Sequence, residues 1–556
     1  MLLSKEISST NLLKFYYMRA KTIGRDIRAA VESNIDDALV KAAEADKIFA
    51  KNDPNVFEKF PVLGIPFSVK ESYAMKGFDT TQGFPTRINH PSDFTAPLVQ
   101  EVINKGGIAF ARTNFPQALM TVESENDIYG VCCNPFNKDR VVGGSSGGEG
   151  ALVGSLCSPF GIGSDIGGSI RNPAHNNGVF GFKPTTGRIC HYGHLDLSPY
   201  FDAHAHQQYI KVTMGPLCKS AEDVDIIMSI IGQEKLNNGL DGNIPPTNWN
   251  ESKVKIDKSK TKVGYFSEMK EIVGSSRLTK KAISSVVASL EKSGVECVEF
   301  TVPEYTKWMA PLLLQIFVSD GNSEGIFDTA SHGIKIIQSY EDMVLALKLP
   351  IWFRKFLVLI LTLLSKITKK ISFRFIMMLY GTIQLQPDNL FKDVAKQVEL
   401  SIGFLREMNE QKITHLICPT FPVAAPEHRK IKGIILGAFW TGLFNFIGNP
   451  SCVVPIGTIE SLSKLSNLCS KDKSNPYLNR IPKPDKQGLY FDEYKDDVND
   501  FITELFDKEC KKGDTNNLPI GIQVVGRMWE DEQTVGLAQY IQKEMKITTI
   551  GEKVLL

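Results

Sequence analysis

The sequence predicts an α/β fold built as one large domain. Three observations carry this: strand-like, β-branched stretches alternate with helix-forming ones along the chain, no linker divides it, and no motif repeats at a period of about 20 to 50 residues. Length alone, 556 residues, would suggest roughly three or four domains, but large α/β enzymes often exceed that rule. With 42% hydrophobic and 22% charged residues, the composition is that of a soluble globular protein able to bury a full-sized core. Lys and Arg number 63 against 62 Asp and Glu, a net charge of +1, so no global field recruits nucleic acid. The ten cysteines are scattered without a C-x-x-C pair, which excludes a zinc ribbon and a disulfide framework and fits free thiols in a reducing, intracellular compartment.

The opening residues, MLLSKEISSTNLLKFYYMRA, are too polar for a signal peptide or membrane anchor and read as a first helix. DDALVKAAEADKIFAKND is rich in helix formers and stops in turn residues at Asn52 to Pro54. PVLGIPFSVKES reads as a buried strand with Lys70 near its end. TAPLVQEVINKGGIAFARTN then predicts a helix closed by Gly106 and Gly107, followed by a strand. Further on, THLICPTFPVAAP and FNFIGNPSCVVPIG read as buried strands ending in turns. A polar, lysine-rich stretch at 460–517 is a surface insertion before the last strand, LPIGIQVVG, and EDEQTVGLAQYIQKEM closes the fold as a helix.

Two glycine-flanked serines stand 24 positions apart: Ser145 in GGSSGGEG and Ser169 in GSDIGGSIR. Glycine permits tight turns and close backbone approach, so two such turns nearby suggest one site. GGSSG fits the G-x-S-x-G nucleophile elbow, which would make Ser145 the nucleophile and call on a downstream histidine such as His332, His415 or His428. That reading leaves the second turn without a role. A phosphate-binding loop is excluded, because no lysine follows these glycines as G-x-x-x-x-G-K-[ST] requires.

GGSSGGEGA, GSDIGGSIRNPAHNNGVFGFKPT and the upstream GIPFSVKES together resemble the amidase signature family. The resemblance is specific from about Pro61 to Arg188 and looser in TMGPLCKSAEDV, KVGYFSE and the late strands. It implies a single domain over 1–556 with a mixed β-sheet core sandwiched between helices. It also implies a triad of Lys70 as base, Ser145 as bridging serine and Ser169 as nucleophile. Such a base must be neutral to work, and the apolar run Ile65 to Val69 supplies the burial that lowers a lysine pKa. The backbone N–H groups of Ile166, Gly167, Gly168 and Ser169 are then expected to form the oxyanion hole. Asp165 and Arg171 are expected to brace the loop as an ion pair, and Ser146 and Ser164 to donate local hydrogen bonds. The chemistry requires no cofactor and no metal.

Within that family, ESENDIYGVCCNPFN and LPIWFRK are most similar to fatty-acid amide hydrolases, especially the second animal type. This implies cleavage of lipid-like amides to fatty acid and amine. The second motif opens a segment at 348–383 that holds only basic charges; from Lys348 to Gln386 there are seven Lys or Arg and no acid. Its centre, FLVLILTLL at Phe356 to Leu364, is far shorter than the about 20 residues of a membrane span. It suits a helix lying in the headgroup region, with Trp352, Phe353, Phe356, Leu357, Leu359, Ile360 and Leu361 meeting lipid and Arg354, Lys355 and Lys366 reaching phosphates. The expected placement is cytosolic or peripheral on a membrane, with a homodimer contact as another use of the segment. The alternatives are an amidase for short or aryl amides, an amidotransferase subunit, and an inactive membrane-binding relative.

Overall fold

A computed structural model describes residues 1–195, 209–237, 244–269, 274–319, 336–341, 348–368, 379–381, 383, 387–430, 435–463, 515–548 and 550–551. Its strands are β1 (Ala30–Ser33), β2 (Pro66–Lys70), β3 (Ile108–Thr113), β4 (Cys133–Asn134), β5 (Asn137–Val141), β6 (Phe160–Asp165), β7 (Phe180–Lys183), β8 (Thr213–Cys218), β9 (Lys262–Tyr265), β10 (Glu296–Glu299), β11 (His415–Pro419), β12 (Ser451–Thr458) and β13 (Pro519–Val525). All but β4 and β5 join one sheet in the order β1-β3-β2-β6-β8-β7-β12-β13-β11-β9-β10. The sheet is mixed: β3, β2 and β6 run parallel, as do β11, β9 and β10, while the strands between them pair antiparallel.

Helices cover this sheet, as the α/β expectation requires. Ile35–Phe49 and Asp531–Glu544 form where the composition predicts them, and Pro97–Asn104 precedes β3 as expected. Three more matter for the site: α1 (Gly147–Gly154), α2 (Arg171–Asn177) and α3 (Phe439–Ile447). Every residue of β2 and β6 is buried, in keeping with parallel strands covered on both faces. Phe67 of β2 stacks on Phe160 of β6 with centroids 5.2 Å apart, which fixes the register that brings Lys70 beside the end of β6.

One element differs from the sequence reading. FNFI, expected to start a strand, is the last turn of α3, and the strand begins only at Ser451. All nine residues of α3 are buried, and with only Thr441 and Asn445 polar among them its apolar run gives little sign of a helical period. Gly448 ends the helix at φ 97°, the left-handed cap that glycine accepts most easily. The insertion at 460–517 lies almost wholly outside the described residues, as do His332 and 369–378 of the basic segment.

Within that segment, Ile351–Thr368 is a helix, α4. Among the described residues no helix is long and apolar enough to cross a membrane. Trp352 (70% exposed), Phe356 (51%), Leu359 (58%) and Leu363 (49%) recur at i, i+4, i+7 and i+11, and so form one outward stripe. Of the residues expected to meet lipid, Phe353, Leu357, Ile360 and Leu361 are only half-exposed. Arg354 corrects an expectation: it is 3% exposed. Two positions past Trp352 is a rotation of about 200°, so Arg354 faces the protein rather than any phosphate layer.

Candidate active site

Lys70 ends β2 with its side chain fully buried, and its Nζ donates to Ser145 Oγ at 2.7 Å and to Ser164 Oγ at 2.9 Å. Ser145 follows a cis Gly144–Ser145 peptide at the entrance to α1. Ser169 stands between the end of β6 and α2. Exposure rises along the series, from Lys70 at 0% to Ser145 at 2% and Ser169 at 8%. The amine-bearing group is therefore driest, and the last serine is nearest to whatever enters. Ser169 Oγ makes no hydrogen bond among the described residues, and none joins it to Ser145 Oγ.

Ser146 ties the two serine turns together. Its N–H donates to Ser169 O at 3.0 Å, its Oγ donates to Ser164 O at 3.2 Å, and Ser164 N–H returns a bond to that Oγ at 3.2 Å. The second turn is braced from below by Asp165. That carboxylate accepts from Gly168 N–H (2.9 Å), Ile170 N–H (3.1 Å), Arg171 Nε (3.0 Å) and Arg171 Nη2 (2.9 Å). Burial alone would raise the Asp165 carboxyl, but the Arg171 guanidinium, helped by Lys183 and Asn445, holds it far below the usual carboxylate range. Removing one partner of such a buried pair costs about 3–5 kcal/mol.

Because Gly168 N–H is committed to Asp165, the loop N–H groups without a partner among the described residues are those of Ile166, Gly167 and Ser169. A Cβ added at Gly167 would meet nothing within 4 Å, so that side of the loop borders open space. At Gly168 the case reverses: φ is +125° and a Cβ would stand 2.0 Å from Thr441 Oγ1 of α3. The same hydroxyl donates to Gly167 O at 2.8 Å, pinning the loop against α3.

Sequence reasoning misses three polar groups around Lys70. Glu149 on α1 is fully buried and accepts from Ser68 Oγ at 2.5 Å and Thr113 Oγ1 at 2.7 Å. Burial pushes its carboxyl up to about 8, against the pull of those hydroxyls and of the Lys70 charge. The signal was a lone acid in the small, apolar helix GGEGALVG. Ser72 and His194 are the other two, and Ser72 and Ser164, the latter expected only to make local bonds, lie 3.0 Å and 2.9 Å from His194 Nε2.

Glu149 also gives a pH prediction. Its folded pKa of about 8 lies above the ordinary 4.5, so the folded state holds that proton more tightly than the unfolded chain. This contribution to stability is complete below pH 4.5 and is lost as pH rises through about 8. Glu149→Gln keeps the shape without the titration, so melting temperatures recorded from about pH 5 to about pH 9 are expected to fall less steeply in the variant. Parallel slopes would mean that Glu149 is ionised when folded.

Of the histidines a nucleophile elbow would call on, His415 and His428 are occupied elsewhere. His428 bonds to Glu123 at 2.8 Å, His415 to Thr414 at 3.0 Å, and neither bonds to Ser145 or Ser169.

Known proteins resemble this chain along most of its length. The family described as Amidase matches residues 11–535. Fatty acid amide hydrolase 1 of Caenorhabditis elegans is 27% identical over 86% of this chain and 78% of its own length. Fatty-acid amide hydrolase 2-A of Danio rerio is 37% identical, over 41% of this chain and 42% of its own. Acetamidase of Emericella nidulans is 26% identical over 97% of this chain and 86% of its own. A solved structure of a fatty acid amide hydrolase superposes with a TM-score of 0.78 at 24% identity, covering 99% of this chain and 84% of that one, a likeness of fold. Since the family match runs through all but the two ends, this chain belongs to the amidase signature family and is an amide hydrolase.

Proposed function

We propose that this protein cleaves fatty-acid amides through an acyl-enzyme on Ser169. The observation that carries the chemistry is the 2.7 Å bond between the buried Lys70 Nζ and Ser145 Oγ, with Ser146 holding Ser169 alongside. Ser169 Oγ attacks the amide carbonyl as its proton passes through Ser145 to neutral Lys70. The proton returns by the same route to the leaving nitrogen, the C–N bond breaks, and water then releases the fatty acid with the roles reversed. The N–H groups of Ile166, Gly167 and Ser169 receive the oxyanion, and Gly168 anchors the loop to Asp165.

The lipid assignment is supported by the outward stripe of α4, Trp352, Phe356, Leu359 and Leu363, and by the relatives named as fatty acid amide hydrolases. A stripe of this kind suits peripheral contact with a membrane surface, its apolar side chains entering the acyl boundary. The test is the hydrolysis rate on primary amides of increasing acyl length in dilute detergent, with liposome sedimentation of Phe356→Asp/Leu359→Asp beside the parent. Rates climbing toward long chains and a variant that no longer sediments are expected. The acetamidase likeness, which spans 97% of this chain, favours the second reading, a short-amide hydrolase. A flat or falling series would establish it.

A further inference from the structure

Lys70 Nζ touches two hydroxyls, and only one belongs to the proton route proposed above. The other, Ser164 Oγ, stands 2.9 Å from Lys70 Nζ and 2.9 Å from His194 Nε2, with no further side-chain or backbone partner among the described residues. Ser164 is 3% exposed and His194 2%, so bulk solvent scarcely reaches these bonds. A hydroxyl carries a single proton. Here it has two places to go.

If His194 Nε2 bears a proton, it donates to Ser164 Oγ, and the Ser164 proton must turn to Lys70 Nζ. There it occupies the lone pair that Ser145 needs. If Nε2 is bare, Ser164 donates to the imidazole, its oxygen accepts an N–H of Lys70, and the lysine lone pair stays with Ser145. The ring is held by its neighbours, although Nε2 has one lone pair and Ser72 is the rival of Ser164 for it. Ser72 Oγ, fully buried, lies 3.0 Å from the same Nε2. Tyr73 packs edge-on at 5.0 Å and is itself fixed by its hydroxyl bond to Gly163 O at 2.8 Å.

We infer that His194, with Nε2 bare, is a positioning residue that acts through Ser164 to turn the Lys70 lone pair toward Ser145. The inference rests on reading Lys70 as the base. Other titratable groups face this chain of bonds: Tyr73 after β2, Glu149 on α1, and the Asp165–Arg171 pair beyond Ser164. The experiment must therefore separate His194 from them.

The test compares His194→Leu and His194→Gln with the parent and with Lys70→Ala, measuring kcat, KM and their pH profiles on one amide, alongside melting temperature. Leucine removes the acceptor, so kcat is expected to fall by about tenfold with KM unchanged. The acid limb should move to lower pH, because a Ser164 proton donated to Lys70 favours the neutral amine. Glutamine can offer its Oε1 to Ser164 and should restore most of kcat and the parental profile. Leu and Gln variants that melt alike and share the parental kcat and profile would overturn the inference. So would equal losses in both, which would indicate packing alone. Ser164→Ala gives a second route should His194→Leu fail to fold, and an unchanged kcat and pH profile there would equally overturn it. Failure of the base assignment would show separately, as a Lys70→Ala enzyme that keeps its rate.

Discussion

Ser169→Ala is expected to abolish labelling by a fluorophosphonate probe and to lower amide turnover by about 10⁴-fold or more, since loss of a covalent nucleophile leaves only binding and oxyanion contacts. The prediction separates two serines that share one cluster. Ser145 is 2% exposed and its oxygen accepts the Lys70 bond, whereas Ser169 is 8% exposed with its hydroxyl unengaged among the described residues. An incoming electrophile therefore meets Ser169 first. Fold should survive the change, because the bonds that hold the loop use Ser169 O and the Asp165 carboxylate rather than Ser169 Oγ. Continued labelling of the alanine variant, mapped by mass spectrometry to Ser145, would reverse the assignment and revive the elbow.

Lys70→Ala should divide substrates by their leaving group. Amides need a proton delivered to nitrogen before the C–N bond breaks, while an ester oxygen leaves with less help. The loss is expected at about 10²- to 10⁴-fold for an amide and distinctly smaller for the ester of the same acid, read as kcat/KM for each. Equal losses would reduce Lys70 to activating Ser145 and remove the return of the proton. The variant also opens a cavity bounded by Ser145, Ser164 and Glu149, so melting curves belong beside the kinetics.

Much of this site was legible because its parts are local in sequence. Lys70 closes a five-residue buried strand, each serine sits in its own glycine turn, and Asp165 and Arg171 lie six positions apart on one loop. The rest depends on which strands lie side by side. Nothing in the sequence near Ser72 or His194 says that β2 and β6 are neighbours, or that the segment after β7 bridges from His194 to Tyr73, and those two pairings together bring both residues to Ser164. Thr441 was hidden for a related reason: α3 is wholly buried and mostly apolar, so its end read as a strand and its contact with the Gly167–Gly168 loop was unforeseen. Arg354 shows the limit of counting charges in a window. Its sign was plain, but its direction follows from helical angle.

The Arg171 guanidinium has one further consequence. It bonds not only to Asp165 but also to Thr441 O at 2.9 Å, Gln523 Oε1 at 3.2 Å and Asn445. Of these partners, Gln523 is the farthest along the chain, 352 positions downstream. A polypeptide emerging from the ribosome thus presents both serine turns long before it has the residues that clamp the second one. We expect such a nascent chain to be catalytically silent until β13 has slotted between β11 and β12, so that hydrolytic power arrives late in synthesis and all at once.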